Sequence, residues 1–329
     1  MSATRRIVVG AGLVLAAGGC AVVSGVESRE TSFHSAGYRL VGTLTGPSMG
    51  AAVASVLIIP GSGPTDRDGV SSLGPSIPAV YRRWAEWLSE AGFVVLRYDK
   101  RFLTHRDLDM AAFDEEAQIA DAQAAAAWLR ATPGLAGKPV FIVGHSEGGT
   151  LAPLVAERDG AVAGVAIINA VQFPVDELLV GQLRARPDVS RSTVEEVRRV
   201  FGVIKAGAFP KGALLLGAGA SYWAQWIEYS RQSPTTLSRL SPPLLLVQCM
   251  NDETLPSEML ARNVAILRGV ASTKRDARLH ELDGHDHFGI RPGEHESSPV
   301  FMRVLLDWLR ETAARNATRA KPVGYTARP

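Results

Sequence analysis

Val140-Phe141-Ile142-Val143-Gly144-His145-Ser146-Glu147-Gly148-Gly149-Thr150-Leu151-Ala152 is the stretch on which the reading of this chain turns. Its first four residues form an unbroken apolar run, the mark of a strand buried on both faces, and the residues from Gly149 suit a helix. Between them stands Gly-x-Ser-x-Gly, which occurs once in the chain. A strand that ends in this pentapeptide and passes straight into a helix must turn so sharply that the serine is pushed out at the top of the sheet, a nucleophile elbow. The two glycines follow from that turn. A Cβ at either position would collide with the neighbouring strand or helix, because the backbone at Ser146 is strained. The plainer alternative is a Gly-rich turn carrying a solvated serine.

The rhythm around this stretch is that of alternating strands and helices. Residues 31–45 read as a hairpin about Ala36-Gly37, and 53–59 is a continuous apolar strand. Val80, Trp84, Trp87 and Leu88 fall at helical spacing, and Gly92 stops that helix before a strand over 93–98. Asp114 is placed to cap a helix carrying Ile119, Ala122, Ala126 and Leu129 inward. Strands follow at 162–168, 244–248 and 278–282, with helices near 257–267 and 299–309. Such alternation predicts an α/β fold, with a mostly parallel central sheet and helices on both faces. Residues 171–240 break the rhythm: 175–184, 193–204 and 222–230 look helical, with no apolar strand between them. A long insertion of this kind predicts a helical cap over the site, the alternative being a peripheral decoration.

Composition sets outer bounds. The chain has 329 residues, 46% of them hydrophobic, enough for one large core. A net charge of +2 without a basic stripe points away from nucleic acid. At the start, Arg5-Arg6 precedes the apolar run 7–17 and then Gly18-Gly19-Cys20. That run is too short to span a bilayer, so 1–19 reads as a signal peptide. Small residues directly before a cysteine resemble a bacterial lipobox, although Ala17 stands where leucine is commoner. The expectation is lipidation at Cys20, a tether over 20–30, and anchoring to the bacterial cell membrane; without the lipid, the chain is expected to be secreted or periplasmic. Cys249, the other cysteine, would then have no partner. The domain is expected over 31–311, followed by a flexible tail over 312–329.

A serine hydroxyl becomes a nucleophile when a base removes its proton and a carboxylate orients that base. In sheets built around such an elbow the acid follows the serine and the histidine comes last, each in a loop after a strand. Asp252 sits four residues past the strand over 244–248 and is the candidate acid, with Glu253 as neighbouring competitor and Asp276 and Asp283 as surface residues. After the next strand, Gly284-His285-Asp286-His287-Phe288 offers two candidate bases. The same cluster could hint at a metal, but it lacks a third ligand at suitable spacing. An oxyanion hole needs backbone N–H groups. Glu147 offers one at the helix N-terminus, and Ser62, between Gly61 and Gly63, offers the other. The loop 60–69 also reads as a tight structural turn in which Asp66, Arg67 and Asp68 pin one another.

Taken together, Gly61-Ser62-Gly63-Pro64-Thr65-Asp66-Arg67-Asp68-Gly69, Arg97-Tyr98-Asp99-Lys100-Arg101, the elbow and the Asp252/His287 pair resemble the α/β-hydrolase superfamily, and within it the esterase D-like or serine aminopeptidase-like branch. The resemblance spans roughly residues 33–310. It implies an α/β-hydrolase fold and a serine carboxylic ester hydrolase with the triad Ser146, Asp252 and His287, no cofactor and a small-molecule ester as substrate. Relatives of this kind follow the base with an aromatic residue and precede it with a Gly-x-Asp turn, which favours His287 and leaves His285 behind it or exposed. Two other functions share these residues: a peptidase or amidase of the same fold, and a non-catalytic binding lipoprotein. One departure stands out. Where such enzymes continue Gly-x-Gly-x-Ser after Asp-Lys-Arg, this chain has Phe102-Leu103-Thr104-His105-Arg106.

Overall fold

The computed structural model describes residues 26–72 and 79–319. The proposed signal peptide and Cys20 lie outside the described residues. In chain order the elements are β1 (Glu27–Ser35), β2 (Tyr38–Gly46), β3 (Ala54–Ile59), α1 (Val80–Glu90), β4 (Phe93–Tyr98), α2 (Arg101–Thr104), α3 (Glu115–Ala131), β5 (Val140–His145), α4 (Glu147–Asp159) and β6 (Gly164–Ile168). They continue with α5 (Val175–Ala185), α6 (Arg191–Lys205), α7 (Ala220–Arg239), β7 (Leu244–Cys249), α8 (Ser257–Thr273), β8 (Ala277–Leu282) and α9 (Pro299–Arg319). The eight strands form one sheet in the order β1-β2-β4-β3-β5-β6-β7-β8. The β1–β2 and β2–β4 pairs are antiparallel, and every other neighbouring pair is parallel.

Every residue of β3, β5 and β7 is buried, as their continuous apolar runs require. Alternate residues serve opposite layers. Leu57, Ile142, Val165 and Leu246 pack with α3, α4 and α8, whereas Val56, Phe141, Val143 and Leu245 pack with α1 and α9. Asp114 caps α3 as expected, accepting from Ala117 N at 3.0 Å, and Ile119, Ala122, Ala126 and Leu129 face inward. The antiparallel hairpin closes one edge of the sheet, and the elbow strand β5 lies near its middle, between β3 and β6.

Three boundaries differ from the sequence reading. β1 begins at Glu27, inside the stretch read as a tether over 20–30; Glu27, Ser28, Arg29 and Glu30 are exposed polar residues, so no apolar signal marks them. α9 runs on to Arg319, through residues read as a flexible tail over 312–329. Thr312 and Ala313 are buried, and Ala and Arg sustain a helix without an apolar stripe. α7 continues past 230, through Pro234, to Arg239.

Helices α5, α6 and α7 stand between β6 and β7, where the sequence reading placed a cap. They share a small core of their own, built on Val180, Val194, Phe201, Trp223 and Trp226. α7 has a double allegiance: Trp223 and Trp226 belong to that core, while Leu237, near its end, is buried in the main one.

Candidate active site

Ser146 lies in the one-residue turn between β5 and α4, with φ 54° and ψ −121°. This left-handed φ is costly for a residue with a Cβ and persists only where the surroundings enforce it. Here Ser146 N donates to Ile168 O at 2.9 Å, and Gly149 N donates to Ser146 O at 2.9 Å. The glycines are required as the sequence implied. A Cβ on Gly144 would lie 2.2 Å from Gly148 O, and one on Gly148 would lie 2.2 Å from Ile59 O. The elbow therefore sits wedged against its own helix on one side and against β3 on the other.

Asp252 and His287 meet at the ends of β7 and β8. His287 Nδ1 and Asp252 Oδ2 are 2.8 Å apart, and both side chains are buried. The other carboxylate oxygen of Asp252 accepts from Thr254 N at 2.9 Å and from Thr254 Oγ1 at 2.6 Å, so the carboxylate cannot rotate. Burial pulls the His287 imidazole down, but the charge of Asp252 and the bond to it more than offset this, and its pKa is raised above the ordinary 6.5. Burial likewise opposes ionisation of Asp252, yet His287 and Thr254 hold its pKa below the usual carboxylate value. An acid–imidazole pair so arranged orients the ring and stabilises its protonated form. The preceding turn is fixed by Asp286, whose Oδ1 accepts from Phe288 N and Ile290 N.

Ser146 and His287 line one cavity of about 440 Å³. Ser62 and Glu147 border it as well, with Val171, Leu178, Leu179, Leu255 and Phe288 supplying apolar walls. Gly61 approaches so closely that a Cβ there would lie 3.2 Å from Ser146 Cβ. Its N–H is engaged by Tyr81 Oη at 2.9 Å, so the next N–H along the loop is that of Ser62. The expectation that the Asp-Arg-Asp residues of the loop pin one another holds in part: Asp66 Oδ1 accepts from Asp68 N and Val70 N, each at 2.9 Å. The other anchors lie outside the loop, where Asp68 pairs with Arg97 and Arg67 N donates to Asp99 Oδ1 at 2.9 Å.

Four residues that the sequence reading passed over tie these loops together. Tyr81 Oη, which accepts from Gly61, is 2.8 Å from His145 Nδ1. His145 Nε2 is 2.9 Å from His287 O, and Asn169 Nδ2 donates to the same carbonyl at 2.8 Å. A carbonyl can only accept, so His145 carries its proton on Nε2, and its Nδ1 accepts a hydrogen bond from the Tyr81 hydroxyl. Burial pushes the His145 pKa down to about 3, with His287 adding to the effect, so it stays neutral. One chain of hydrogen bonds thus joins the Gly61 loop, the elbow and the His287 loop. Thr254 completes the set, and the Asp-x-Thr spacing of a side-chain-capped turn was its visible signal.

His285 is neither exposed nor available to a metal. It is buried, with Nδ1 2.8 Å from Asp283 O and Nε2 2.6 Å from Ser298 Oγ. Among the described residues no group of three or more His, Cys, Asp or Glu side chains could hold a metal ion. The departure at 102–106 has its own geometry. Arg101 starts the short helix α2, pairs with Asp121 at 2.5 Å and lies 4.4 Å over the Tyr38 ring, while His105 Nε2 reaches Arg39 O at 2.9 Å. Beneath the elbow, the Glu147 side chain is buried with Lys100 at 2.6 Å, and it also accepts from Tyr222 of α7. Glu115 lies beside it; burial first and the Glu147 charge second raise its pKa well above the usual range.

Known proteins show the same frame. The model of the Alpha/beta hydrolase family matches residues 56–299. Esterase EstD of Thermotoga maritima is 29% identical over 262 residues, which are 79% of this chain and 60% of that protein, so the chain spans about 60% of the length of this curated relative. An esterase of Pyrococcus furiosus has a TM-score of 0.56 at 12% identity, covering 87% of this chain and 91% of its own. Proline iminopeptidase of Mycobacterium smegmatis has a TM-score of 0.57 at 16% identity, covering 88% and 100%. At such identities the two structures speak for the fold alone. With the family model matching from β3 to the start of α9, across the elbow and both loops that meet in the cavity, this chain belongs to the Alpha/beta hydrolase family.

Proposed function

We propose that this chain hydrolyses carboxylic esters through an acyl-enzyme on Ser146. The observation that carries the reading is that Ser146, at a strained elbow, shares a cavity with His287, whose Nδ1 is bonded to a fixed, buried Asp252. The name of the Thermotoga maritima relative supports an ester over an amide as substrate.

In the proposed reaction Ser146 Oγ bonds to the acyl carbon as its proton passes to His287 Nε2. The carbonyl oxygen becomes an oxyanion facing the N–H groups of Ser62 and Glu147, the latter at the positive end of α4. Collapse breaks the bond to the alkoxy oxygen, which leaves with the proton from His287. Water then repeats the sequence on the acyl-enzyme and releases the acid. Asp252 remains ionised throughout.

The test pairs p-nitrophenyl esters with aminoacyl-nitroanilides on the wild type and on Ser146→Ala. Ester turnover should fall by several orders of magnitude in a folded Ser146→Ala protein, and an organophosphonate probe should label Ser146. Retained ester hydrolysis in that variant, or label on another serine, would refute the assignment. Preferential cleavage of the anilides would redirect it to a peptidase.

The proposed location rests on Arg5-Arg6, the apolar run 7–17 and Cys20. A chain lipidated at Cys20 partitions into detergent, because each buried CH₂ contributes about 0.8 kcal/mol. Cys20→Ser should shift active protein to the aqueous phase. An unmodified Cys20 in the mature protein would overturn the anchor and leave the hydrolase reading untouched.

A further inference from the structure

A second cavity, of about 490 Å³, lies on the other side of the Ser62 loop. The two cavities share Ser62, Leu179 and Trp226 as walls. The second is lined by Phe102, Leu108, Met110, Phe113, Leu216 and Trp223. Phe102 and Phe113 meet edge to face with centroids 5.4 Å apart, and Trp223 stacks on Trp226 at 5.7 Å. Phe102 belongs to the segment at which this chain departs from the usual Gly-x-Gly-x-Ser.

Several polar groups that reach this cavity are engaged. Lys100 Nζ is held by Glu147 at 2.6 Å, Gln118 Nε2 by Glu115 at 2.7 Å, and the Tyr222 hydroxyl by Glu147. His105 is bonded to Arg39 O, and Arg106 is exposed. Trp226 Nε1 is buried without a hydrogen-bond partner, and the rest of the lining is mainly apolar and aromatic surface, which suits a hydrocarbon chain.

The direction of the substrate follows from the proton. The alkoxy oxygen leaves with a proton from His287, and His287 lines only the first of these two cavities. The alcohol therefore lies on the side of His287 and Phe288. The acyl carbon's other substituent must depart along the opposite wall, past Ser62, Leu179 and Trp226, which leads to the second cavity. We infer that the second cavity is the acyl-chain site, and that the substrates are esters of apolar acids well beyond acetate in length. This inference rests on the proposed ester hydrolysis at Ser146.

The experiment compares kcat/KM for p-nitrophenyl octanoate and p-nitrophenyl acetate in the wild type, Leu108→Trp and Met110→Trp. Both positions are half-buried, in the segment between α2 and α3, so a larger side chain can be accommodated there without recutting the main core. The wild type should favour octanoate by at least about tenfold, since each well-placed methylene in an apolar pocket discriminates. Either variant should bring that ratio down about tenfold while acetate turnover stays unchanged. The ratio corrects for any loss of folded protein. A ratio that is near one in the wild type, or unmoved in both variants, overturns the acyl-site assignment while acetate hydrolysis keeps the esterase reading intact. Absence of hydrolysis of either ester would instead remove the esterase reading beneath it.

Discussion

Replacing Tyr81 with phenylalanine removes one oxygen atom and tests whether the site is held from below. The ring of Tyr81 is fully buried against Trp84 and His145, and phenylalanine keeps that packing. The hydroxyl, however, links Gly61 N to His145 Nδ1 in the chain described above, at 2.9 and 2.8 Å. Its loss leaves one donor and one acceptor buried without a partner. A buried polar group so abandoned costs about 1–3 kcal/mol. With partial relaxation of the loop, the two together amount to roughly 2–4 kcal/mol. For a domain of this size each kcal/mol moves Tm by about 2–4 °C, so a fall of roughly 4–16 °C is expected. The functional consequence should fall on kcat. Gly61 adjoins Ser62, and a drifting oxyanion N–H weakens transition-state binding more than ground-state binding. A loss of about tenfold in kcat, with KM little altered, is expected, less than the loss on deleting an oxyanion donor outright. Thermal unfolding and p-nitrophenyl ester kinetics read the two effects separately. A variant with Tm within 1 °C or so of the wild type and an unchanged kcat would show that the hydrogen-bond chain does not organise the site.

Two further outcomes follow from the buried titrations. His287 acts as a base only when neutral, and its pKa lies above the ordinary 6.5, so kcat/KM should fall as pH drops through a midpoint above 6.5; a midpoint below that value would mean that Asp252 does not govern the imidazole. Cys249 is buried, and burial pushes its thiol up to about 12, so the native protein should resist a disulfide reagent at pH 8 and react fully once unfolded in guanidinium; rapid reaction of the folded protein would contradict the packing of β7.

The sequence carried the parts of the site that obey a local rule. Gly144 and Gly148 announce the elbow because only glycine fits between backbones 2.2 Å from a Cβ. Asp252 and His287 are found by counting strands, since β7 and β8 are continuous enough to be seen. Tyr81, His145 and Asn169 left no such trace. Tyr81 lies 64 residues from His145, and His145 lies 142 residues from His287, so their bonds exist only after the sheet assembles. The same holds for the Lys100–Glu147 pair beneath the elbow, which joins residues 47 apart. β1 was shortened in the reading because an edge strand exposed over Glu27 to Glu30 needs no alternation, and α9 because its last turns are polar and alanine-rich.

Helix α7 is one rod from Ala220 to Arg239, roofing the cavities with Trp223 and Trp226 and rooted in the body by Leu237. A rod fastened at one end cannot swing clear as a lid without levering Leu237 from its seat and parting Tyr222 from Glu147. The Ser146 cavity is open to solvent with α7 in place, so catalysis does not call for that motion. A third cavity, of about 640 Å³, opens between α5, α6 and the loop at Glu253, Thr254 and Pro256, and it shares Leu179 and Gln182 with the Ser146 cavity. Where the two cavities meet, Gln182 Nε2 donates to Thr254 O at 2.7 Å. Thr254 is also the residue that steadies Asp252, so the tie from the cap to this loop and the bracing of the acid fall on one residue.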